Sequence, residues 1–485
     1  MDVLMNCQYH GRATDPENRM SAADLMPGWK QYIDRNAGPL YLSIVEALAE
    51  SIRRDEIHEG DRLPPQRALA KALGTDLTTV TRAFAEARRR GLIEATVGRG
   101  TFVRVGATET RWRNAGRAVV DLTMNLPPIP ENPSLQQLIQ NDISRILRRQ
   151  DLHALLSYRV TGGTSEERQL AADWMKPMLG VRPADEILVV PGAQSAMSAV
   201  VSTLAAPGDV IVTDRFTYPG IRTLAAQFGL LLAGVDSDHE GMVPDLLDRA
   251  CRQHRPRLIY CTPTIQNPTT ATMSLARREA ILAVAKAHNV QILEDDPYSL
   301  LLDQPPPALA ALDPSRVFYV STLAKVLSPG LRLAFLVAPQ DAVQRMSSAV
   351  RAISLTCSGL MTSLVARWMQ DGQAQAIVQA IRTELRLRQT AARAILGEGH
   401  CMHPDGPHVW LKLPDWWGSV DFVSYARRQG LGLVPSTVFT VEGEPAQRVR
   451  IALGSAATLD SLEVSLHGVV SVLQHKRSPG YTDIV

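Results

Sequence analysis

The feature that most constrains the fold is a series of seven short apolar segments that alternate with helical patterns between residues 187 and 337. The segments are Ile187–Val190, Val210–Thr213, Leu230–Val235, Leu258–Cys261, Val290–Leu293, Val317–Val320 and Leu333–Val337. This alternation predicts an α/β fold with a mainly parallel sheet that is covered by helices on both faces. Later strands near Val409–Leu413 and Val449–Leu453 predict a smaller α+β portion. No G-x-G-x-x-G fingerprint follows any of these strands, which argues against a nicotinamide enzyme.

One lysine, Lys325, has a chemically distinctive place in this series. The sequence STLAKVLSPGLRL, from Ser321 to Leu333, sets it between the strand Val317–Val320 and a Pro-Gly turn, seven residues before Arg332. A lysine considered alone is ordinarily a solvated surface residue. However, an amine at a strand end, with hydroxyls before it and a guanidinium after it, suits an aldehyde cofactor that carries a phosphate. Pyridoxal 5'-phosphate (PLP) is such a cofactor.

Residues that follow earlier strands support the same hypothesis. Asp295 and Tyr298 are predicted to lie just past the strand Val290–Leu293, where ligands bind to parallel sheets. A buried carboxylate there can keep a pyridine nitrogen protonated, while a phenol can bond to the ring's phenolate oxygen. Asn267, which follows the preceding strand, can bond to the same oxygen. The backbone of residues 192–194, between a strand and a helix start, can cradle a phosphate.

The order of these residues is more informative than any one of them. Along the chain come Gly192-Ala193-Gln194, Tyr218-Pro219-Gly220, Asn267-Pro268, Asp295 with Tyr298, Lys325 with Pro329-Gly330-Leu331-Arg332, and Arg450 in VRIAL. This order resembles the fold-type I aminotransferases, over about residues 120 to 475. The resemblance implies that Lys325 forms the Schiff base with PLP and that Asp295 partners the pyridine nitrogen. Ala324 departs from the pattern, in which a serine commonly precedes the lysine.

The same resemblance implies the remaining contacts to the cofactor and its ligand. Tyr218 would stack on the cofactor's ring, and Asn267 and Tyr298 would bond to the ring oxygen. The phosphate would be held by Thr322, Arg332 and the backbone of Ala193 and Gln194. Arg450 would grip the carboxylate of an amino acid through two parallel hydrogen bonds.

A second module is predicted ahead of this domain, where basic residues concentrate. Between Arg62 and Arg104 stand nine Lys or Arg residues and three acidic ones, in a chain of formal net charge +2. Helical spacing predicts helices over 41–52 and 66–73 and a third that begins near Thr78. The segment LIEATVGRGTFV then predicts a hairpin with glycines at its tip. Three helices and such a hairpin favour a winged helix-turn-helix with a nucleic-acid surface over a small helical domain with a solvated basic face.

Three segments of this module, GDRLPPQRALAKALG, LTTVTRAFAEARRRGLI and GRGTFV, resemble the GntR-type DNA-binding domain. The residues that the resemblance implies for DNA contact are Arg67 at a phosphate or base, Thr78, Thr79 and Arg82 on the recognition helix, and Arg99 with Gly100 in the minor groove beside the wing. Leu77 departs from the pattern, in which an arginine or another polar residue often stands.

The chain of 485 residues is too long for one ordinary core, and its composition changes along its length. The predicted divisions are a loose arm over 1–37, the winged helix-turn-helix over 38–104, a polar linker over 105–118, the aminotransferase-like domain over 119–477 and a tail over 478–485. The five cysteines are scattered without a CxxC pair, which predicts reduced cytoplasm and no structural metal. We expect no secretion signal and no membrane span.

A GntR-type module ahead of an aminotransferase-like domain is the arrangement of the MocR subfamily of bacterial regulators, which this chain resembles from about Trp29 to Gln474. The resemblance implies a homodimer that binds double-stranded promoter DNA and senses an amino acid or amine through aldimine exchange at Lys325. Tyr158 is the candidate to reach the neighbouring subunit's site. The alternative is a PLP-dependent aminotransferase for an amino acid and a 2-oxo acid, with an accessory DNA-binding domain. Both need the same site, so the sequence leaves enzymatic activity open.

Overall fold

The computed structural model describes residues 32–33, 39–53, 57, 61–89, 92–96, 100–103, 120–149 and 151–475. The chain divides into two compact units, Met1–Ala118 and Val119–Val485. The predicted linker and tail lie outside the described residues, as does the predicted arm apart from residues 32 and 33. The bounds of the five divisions given above therefore stay predictions.

The described part of the N-terminal unit consists of three helices and a hairpin. The helices are α1 (Leu40–Arg53), α2 (Gln66–Leu73) and α3 (Leu77–Arg89), and the antiparallel strands are β1 (Ile93–Thr96) and β2 (Gly100–Val103). Apolar residues at helical spacing form one core, which includes Val45, Leu69, Val80 and Phe84. The predicted three helices and hairpin are confirmed.

The turn between α2 and α3 follows from two residues. Gly74 ends α2 in the left-handed conformation, with φ of 61°, which a glycine adopts without steric cost. Asp76 then caps α3, because its Oδ1 accepts a hydrogen bond of 2.8 Å from the Thr79 amide. This short, fixed turn sets the direction of α3 relative to α2.

The C-terminal unit is built on a seven-stranded sheet. Its strands are β4 (Ile187–Val190), β5 (Val210–Asp214), β6 (Leu231–Val235), β9 (Leu258–Cys261), β10 (Gln291–Asp296), β11 (Val317–Thr322) and β12 (Ala334–Val337). They lie in the order β4-β12-β11-β10-β9-β5-β6. Strand β12 is antiparallel to both neighbours, and the other pairs are parallel. The predicted mainly parallel α/β sheet is confirmed.

Helices cover both faces of this sheet. The helices from the start of the unit to the end of the sheet region are α4 (Leu135–Arg149), α5 (Leu152–Leu156), α6 (Ser165–Leu179), α7 (Ala193–Leu204), α8 (Pro219–Gln227), α9 (Pro244–His254), α10 (Leu275–Ala287), α11 (Leu309–Leu312), α12 (Val343–Ser354) and α13 (Gly359–Gln370). Successive strand residues point to opposite faces, so Val189 packs in one core and Leu188 in the other. The strands β4 and β12 are therefore apolar at every position.

A smaller α+β portion completes the unit. Its elements are β3 (Val120–Asp121), α14 (Gln373–Leu396), β13 (Cys401–Met402), β14 (His408–Lys412), α15 (Ser419–Arg428), β15 (Leu431–Gly432), β16 (Val434–Pro435), β17 (Arg448–Ala452) and α16 (Leu459–Gln474). A short hairpin, β7 (Ser237–Asp238) and β8 (Gly241–Met242), lies between β6 and α9. Strand β3 pairs in parallel with β15, which ties the start of the unit to this portion.

Two strands end two or three residues later than the sequence pattern indicated. Asp295 was expected just past a strand end, but it lies within β10, opposite Val320 of β11. Likewise, Ser321 and Thr322 belong to β11, because β12 pairs with them through Phe335 and Ala334. Because the last positions of both strands carry polar side chains, a prediction from hydrophobicity alone ends the strands too early. The extra pairing holds these side chains on rigid backbone.

Candidate functional site

A cavity of about 540 Å³ lies at the carboxyl ends of the central strands. It is lined by all ten residues predicted to contact the cofactor or to bind the carboxylate: Ala193, Gln194, Tyr218, Asn267, Asp295, Tyr298, Thr322, Lys325, Arg332 and Arg450. Tyr158 does not line it, and its side chain is 85% exposed. Residues far apart in sequence thus converge at the edge of the sheet where ligands bind in α/β folds.

Lys325 lies in the turn after β11, where the neighbouring Val326 and Leu327 are buried and anchor the turn. Its Nζ donates a hydrogen bond of 2.6 Å to the backbone carbonyl of Asn125. Burial, reinforced by the positive charge of Arg450 and opposed by Asp295, lowers the pKa of Lys325 to about 8. A larger fraction of the amine is therefore neutral near pH 7 than in a solvated lysine, which makes it a better nucleophile.

Asp295 is 5% exposed and faces the cavity from β10. Its Oδ2 accepts a hydrogen bond of 2.8 Å from the Tyr260 hydroxyl on β9. Burial raises the pKa of Asp295 to about 6; the Tyr260 bond opposes the shift and Asp296 adds to it. A carboxylate held this way is suited to a cationic N–H group, which would stabilise its charge.

Tyr298 follows β10 and is buried beside the same cavity. Its hydroxyl accepts a hydrogen bond of 3.1 Å from Asn125 Nδ2, which also lies 3.2 Å from Nδ1 of His408. Burial raises the pKa of Tyr298 to about 12 and lowers that of His408 to about 3. The phenol therefore stays protonated and can donate, while the neutral imidazole accepts from Asn125.

Arg450 projects from β17 and is 7% exposed. One of its NH groups donates to Asn267 Oδ1 at 2.9 Å, another donates to the Thr123 carbonyl, and its guanidinium lies 5.0 Å from the centre of the Phe439 ring. Burial lowers the pKa of Arg450 to about 10, so it remains cationic near pH 7. No ion pair joins it to a carboxylate among the described residues. A buried cation in this state is suited to an anionic ligand.

Gly192 and Arg332 form a close contact at the start of α7. Gly192 has φ of 92°, and a Cβ there would lie 3.1 Å from a terminal nitrogen of Arg332. Thr322 lies nearby in the cavity wall, and its Oγ1 accepts a hydrogen bond of 3.2 Å from the Ala324 amide. The free amides at the start of α7, including those of Ala193 and Gln194, together with the guanidinium can bind a phosphate.

Tyr218 immediately precedes α8, whose first residue is Pro219. A Cβ at Gly220 would lie 2.1 Å from Cε1 of the Tyr218 ring, so only glycine allows this ring position. Burial, with a contribution from Asp295, raises the pKa of Tyr218. The ring is thereby held flat against backbone at one side of the cavity, where it can pack on a planar ligand.

Four residues of the site were missed by sequence reasoning, namely Asn125, Tyr260, His408 and Phe439. Tyr260 lies on β9 in parallel register beside β10, so its contact with Asp295 could have been inferred from strand order. Asn125 lies in DLTMNLPP, from Asp121 to Pro128, where no helical or strand pattern marks the residue. His408 and Phe439 carried no signal, because their contacts depend on how the smaller portion packs.

The residues predicted to contact DNA lie on one described unit, apart from Arg99, which lies outside the described residues. Arg67, Thr78 and Arg82 are exposed. Thr79 is half-buried, and its hydroxyl donates a hydrogen bond of 2.8 Å to Asp76, so it also serves the cap of α3. Gly100 begins β2 with φ of 119°, and a Cβ there would lie 2.8 Å from Arg62 Nε.

In the part of the chain that the structure describes, no helix is both long and apolar enough to span a membrane. The same residues include no group of three His, Cys, Asp or Glu side chains that could hold a metal ion.

Comparisons with known proteins place both units. Residues 117–466 match the family "Aminotransferase class I and II", and residues 40–103 match "Bacterial regulatory proteins, gntR family". The chain is 30% identical to the uncharacterized HTH-type transcriptional regulator YdeF of Bacillus subtilis, over 90% of this chain and 95% of that one. It is 27% identical to the probable rhizopine catabolism regulatory protein MocR of Rhizobium meliloti, over 70% and 74%.

Enzymes are also among the similar proteins. A 2-aminoadipate transaminase of Thermus thermophilus is 28% identical over 65% of this chain and 80% of its own. An archaeal alanine:glyoxylate aminotransferase structure has a TM-score of 0.70 at 21% identity, over 76% and 93%. The last similarity shows the fold alone, while the two family matches and the similarity to YdeF span nearly the whole chain. The chain therefore belongs to the MocR-type branch of the GntR regulators, in which a helix-turn-helix unit precedes an aminotransferase class I and II domain.

Proposed function

We propose that this protein is a transcriptional regulator that holds PLP at Lys325 and changes its promoter binding when an amino acid or amine occupies the cavity. The observation that carries the proposal is the convergence of Lys325, Asp295 and Arg450 in one cavity of a chain that also has a gntR-family unit. Among the described residues, neither Asp295 nor Arg450 forms an ion pair, and the proposed ligands would supply a cationic ring nitrogen to the first and a carboxylate to the second.

The residues present fit PLP. Asp295 would face the pyridine nitrogen, Tyr218 would pack on the ring, and Tyr298 would donate to the ring oxygen. Gly192 leaves room for the Arg332 guanidinium, which a Cβ would approach to 3.1 Å. When bound, the cofactor supplies an aldehyde that reacts with amines and a ring that withdraws electrons.

Lys325 would have two tasks in such a regulator. Because its pKa is lowered to about 8, the amine can reach the neutral state that a nucleophile requires. As a free amine it could also hold a proton, because the Asn125 carbonyl accepts a hydrogen bond from Nζ and would stabilise the charged form. Arg450 would hold the effector's carboxylate, which offers this buried guanidinium its missing anionic partner.

The DNA-binding part of the proposal rests on the exposed basic surface of the N-terminal unit. Helix α3 would enter the major groove with Thr78 and Arg82, while Arg67 would contact a phosphate or base and Arg99 with Gly100 would lie at the minor groove. A homodimer would present two such units to two half-sites. Tyr158, which is 85% exposed, is the candidate to reach the partner subunit's cavity.

A second candidate function is transamination between an amino acid and a 2-oxo acid. The observation in its favour is that the lysine, aspartate and arginine of the site are intact, together with the similarity to the transaminase of Thermus thermophilus. Effector exchange and transamination need the same groups, so the two functions differ in the output of the site rather than in its residues.

The proposal is tested first at the cofactor. Purified protein should absorb visible light through bound PLP, and borohydride reduction followed by peptide mapping should label Lys325. The replacement Lys325→Ala should abolish the label, with Lys286→Ala, at a lysine outside the cavity, as the matched control. A label on any other lysine refutes the cofactor assignment.

The regulatory output is tested by linkage between the two ligands. If an effector changes the protein's affinity for promoter DNA by some factor, bound DNA must change the protein's affinity for the effector by the same factor. We expect the wild type to show this reciprocity and Lys325→Ala to lose most of it while still binding DNA. Equal DNA affinity of the wild type with and without each member of a full panel of amino acids and amines would contradict the proposal.

A further inference from the structure

We propose that Tyr260 is a positioning residue of the cofactor site, which holds Asp295 as a carboxylate facing the cavity and thereby sets the pH range over which the cofactor binds tightly. This inference rests on the function proposed above, in which Asp295 would face the ring nitrogen of PLP. It follows from a hydrogen bond between two buried side chains, from the register of the strands that carry them and from the ionisable groups around them.

The pairing of β9 with β10 places Tyr260 within reach of Asp295. The two strands are parallel, and Tyr260 lies opposite Leu293, two residues before Asp295. Side chains two residues apart in a strand lie on the same face of the sheet. The Tyr260 ring packs in a core that also contains Leu293 and Phe318, and its hydroxyl donates to Asp295 Oδ2 at 2.8 Å. The core therefore holds the phenol rigidly beside this carboxylate.

The contact lies within one chain and is closed to solvent. Tyr260 is 1% exposed and Asp295 is 5% exposed. Tyr260 does not line the cavity and reaches Asp295 from within the sheet, so residues that a partner subunit adds to the cavity would leave the contact in place. The bond occupies Oδ2 and leaves Oδ1 for a cationic partner in the cavity. A fixed Oδ2 thus orients the whole carboxylate.

The Tyr260 hydroxyl favours the ionised form of Asp295. Burial raises the pKa of Asp295 to about 6; the Tyr260 bond opposes this rise, Asp296 adds to it, and Lys325 opposes it. Burial and the nearby Asp295 raise the pKa of Tyr260 well above its ordinary range, so the phenol keeps the proton that it donates. Three further groups interact with Asp295, and burial raises the pKa of each so that it is neutral near pH 7: Tyr218, Cys261 and Tyr298. Without the Tyr260 bond, the pKa of Asp295 would therefore rise further.

Tyr260 contributes to PLP affinity only where Asp295 is protonated in the cofactor-free protein. When Asp295 is already ionised, its bond with Tyr260 exists before and after PLP binds, so it cancels from the affinity. When Asp295 is protonated, the bond strengthens as the carboxylate forms beside the ring nitrogen, and this gain adds to the affinity. The contribution of Tyr260 should therefore be largest at acid pH and should fade as pH rises.

The test is Tyr260→Phe, which removes the hydroxyl and keeps the ring in the core. Cofactor-free, full-length protein is titrated with PLP at about pH 6 and about pH 9 and followed by visible absorbance. Loss of a hydrogen bond to a charged group should move the ionisation of Asp295 upward by about one to two pH units. We therefore expect the wild type to bind PLP about 5- to 50-fold more tightly than the variant at pH 6, and within about twofold at pH 9.

Two results of this titration would overturn the inference. Equal affinities at pH 6 would show that Tyr260 does not act on the site, and a ratio that is the same at both pH values would show that it does not act through the charge of Asp295. PLP bound equally by the wild type and Tyr260→Phe refutes this inference alone. If the wild type binds no PLP, the proposed function fails, and this inference with it.

Tyr319→Phe is the matched control. Tyr319 lies on the neighbouring strand β11, is 0% exposed, and donates from its hydroxyl to Asp296 at 2.7 Å. Asp296 does not line the cavity. This variant removes the same kind of bond from the same sheet and should not weaken PLP at either pH. An equal loss of PLP affinity in both variants would assign the effect to damage of the core, which contradicts the inference.

A second measurement needs no cofactor. The folded state binds the Asp295 proton more tightly than the unfolded state, so stability falls as pH rises from 3.8 through the folded-state value of about 6. In Tyr260→Phe this fall should continue about one to two pH units higher, as measured by denaturant unfolding across the pH range. In an Asp295→Asn background, the effect of Tyr260→Phe should not depend on pH. The same pH profile in the wild type and Tyr260→Phe would contradict the inference even if PLP affinity changes.

Discussion

Replacing Asp295 by asparagine should stabilise the cofactor-free protein and at the same time loosen the cofactor. Burial raises the pKa of Asp295 from 3.8 to about 6, so its ionised form is disfavoured in the folded state. The shift of about two units corresponds to a cost of about 3 kcal/mol at neutral pH, because each unit is worth about 1.4 kcal/mol. Asparagine avoids this cost, and its carbonyl can still accept the hydrogen bond from Tyr260.

The pH dependence of this stability difference shows whether the ionisation of Asp295 causes it. The folded state binds the Asp295 proton more tightly than the unfolded state, so the wild type loses stability as pH rises through the window from 3.8 to about 6. The advantage of Asp295→Asn should therefore grow by about 2 kcal/mol between about pH 4.5 and about pH 7.5, where it levels off. Denaturant unfolding of the cofactor-free proteins, followed by tryptophan fluorescence, measures this difference.

Cofactor affinity should change in the opposite direction. Loss of the charged partner of the ring nitrogen should weaken PLP on the order of 100-fold, as titrated by visible absorbance. Asp296→Asn is the matched control, because Asp296 is equally buried but accepts from Tyr319 at 2.7 Å and does not line the cavity. A pH-independent stability difference, or unchanged PLP affinity in Asp295→Asn, would refute the reasoning.

Other predictions follow from single contacts. Lys325→Met should stabilise the cofactor-free protein by on the order of 1–3 kcal/mol below about pH 8. That gain should disappear as pH rises to 10.5, since burial lowers the pKa of Lys325 from 10.5 to about 8, and thermal unfolding across this range checks it. Gly220→Ala should destabilise the C-terminal unit by about 1–3 kcal/mol and weaken PLP, because the new Cβ would lie 2.1 Å from the Tyr218 ring. Arg450→Gln should weaken effector binding by about 2–5 kcal/mol in calorimetry while PLP stays bound. Arg82→Ala should cost about 1–3 kcal/mol of DNA affinity if Arg82 reads a base, and should relax sequence preference in a binding selection.

Local patterns in the sequence were sufficient to predict the fold. Buried strands such as Ile187–Val190 and Leu258–Cys261 are continuous apolar runs, and the structure gives them the predicted bounds. The pattern failed where a strand carries polar side chains toward the cavity, as at Asp295 and Thr322. The backbone at those positions is held by pairing with neighbouring strands, whose sequences lie elsewhere in the chain.

The candidate site was predictable only in part. Motif order predicted ten of the residues that line the cavity, but it assigned Asn267 to the cofactor alone. In the structure its Oδ1 accepts from Arg450, which links the ring side of the cavity to the carboxylate side. Contacts of Asn125 and His408 join residues 283 positions apart, and no local pattern reports such a pairing. These contacts form only when the smaller portion packs against the sheet.

We propose that the site's output is a change in DNA binding rather than repeated turnover. One preparation of the full-length protein is mixed with its own promoter duplex, an active amino acid and a 2-oxo acid, and DNA affinity and amino-acid consumption are recorded together. We expect a change in DNA affinity of about 5- to 150-fold, with amino acid consumed in no more than about one equivalent per site. Many turnovers without DNA binding above the non-specific level would contradict it and favour the aminotransferase.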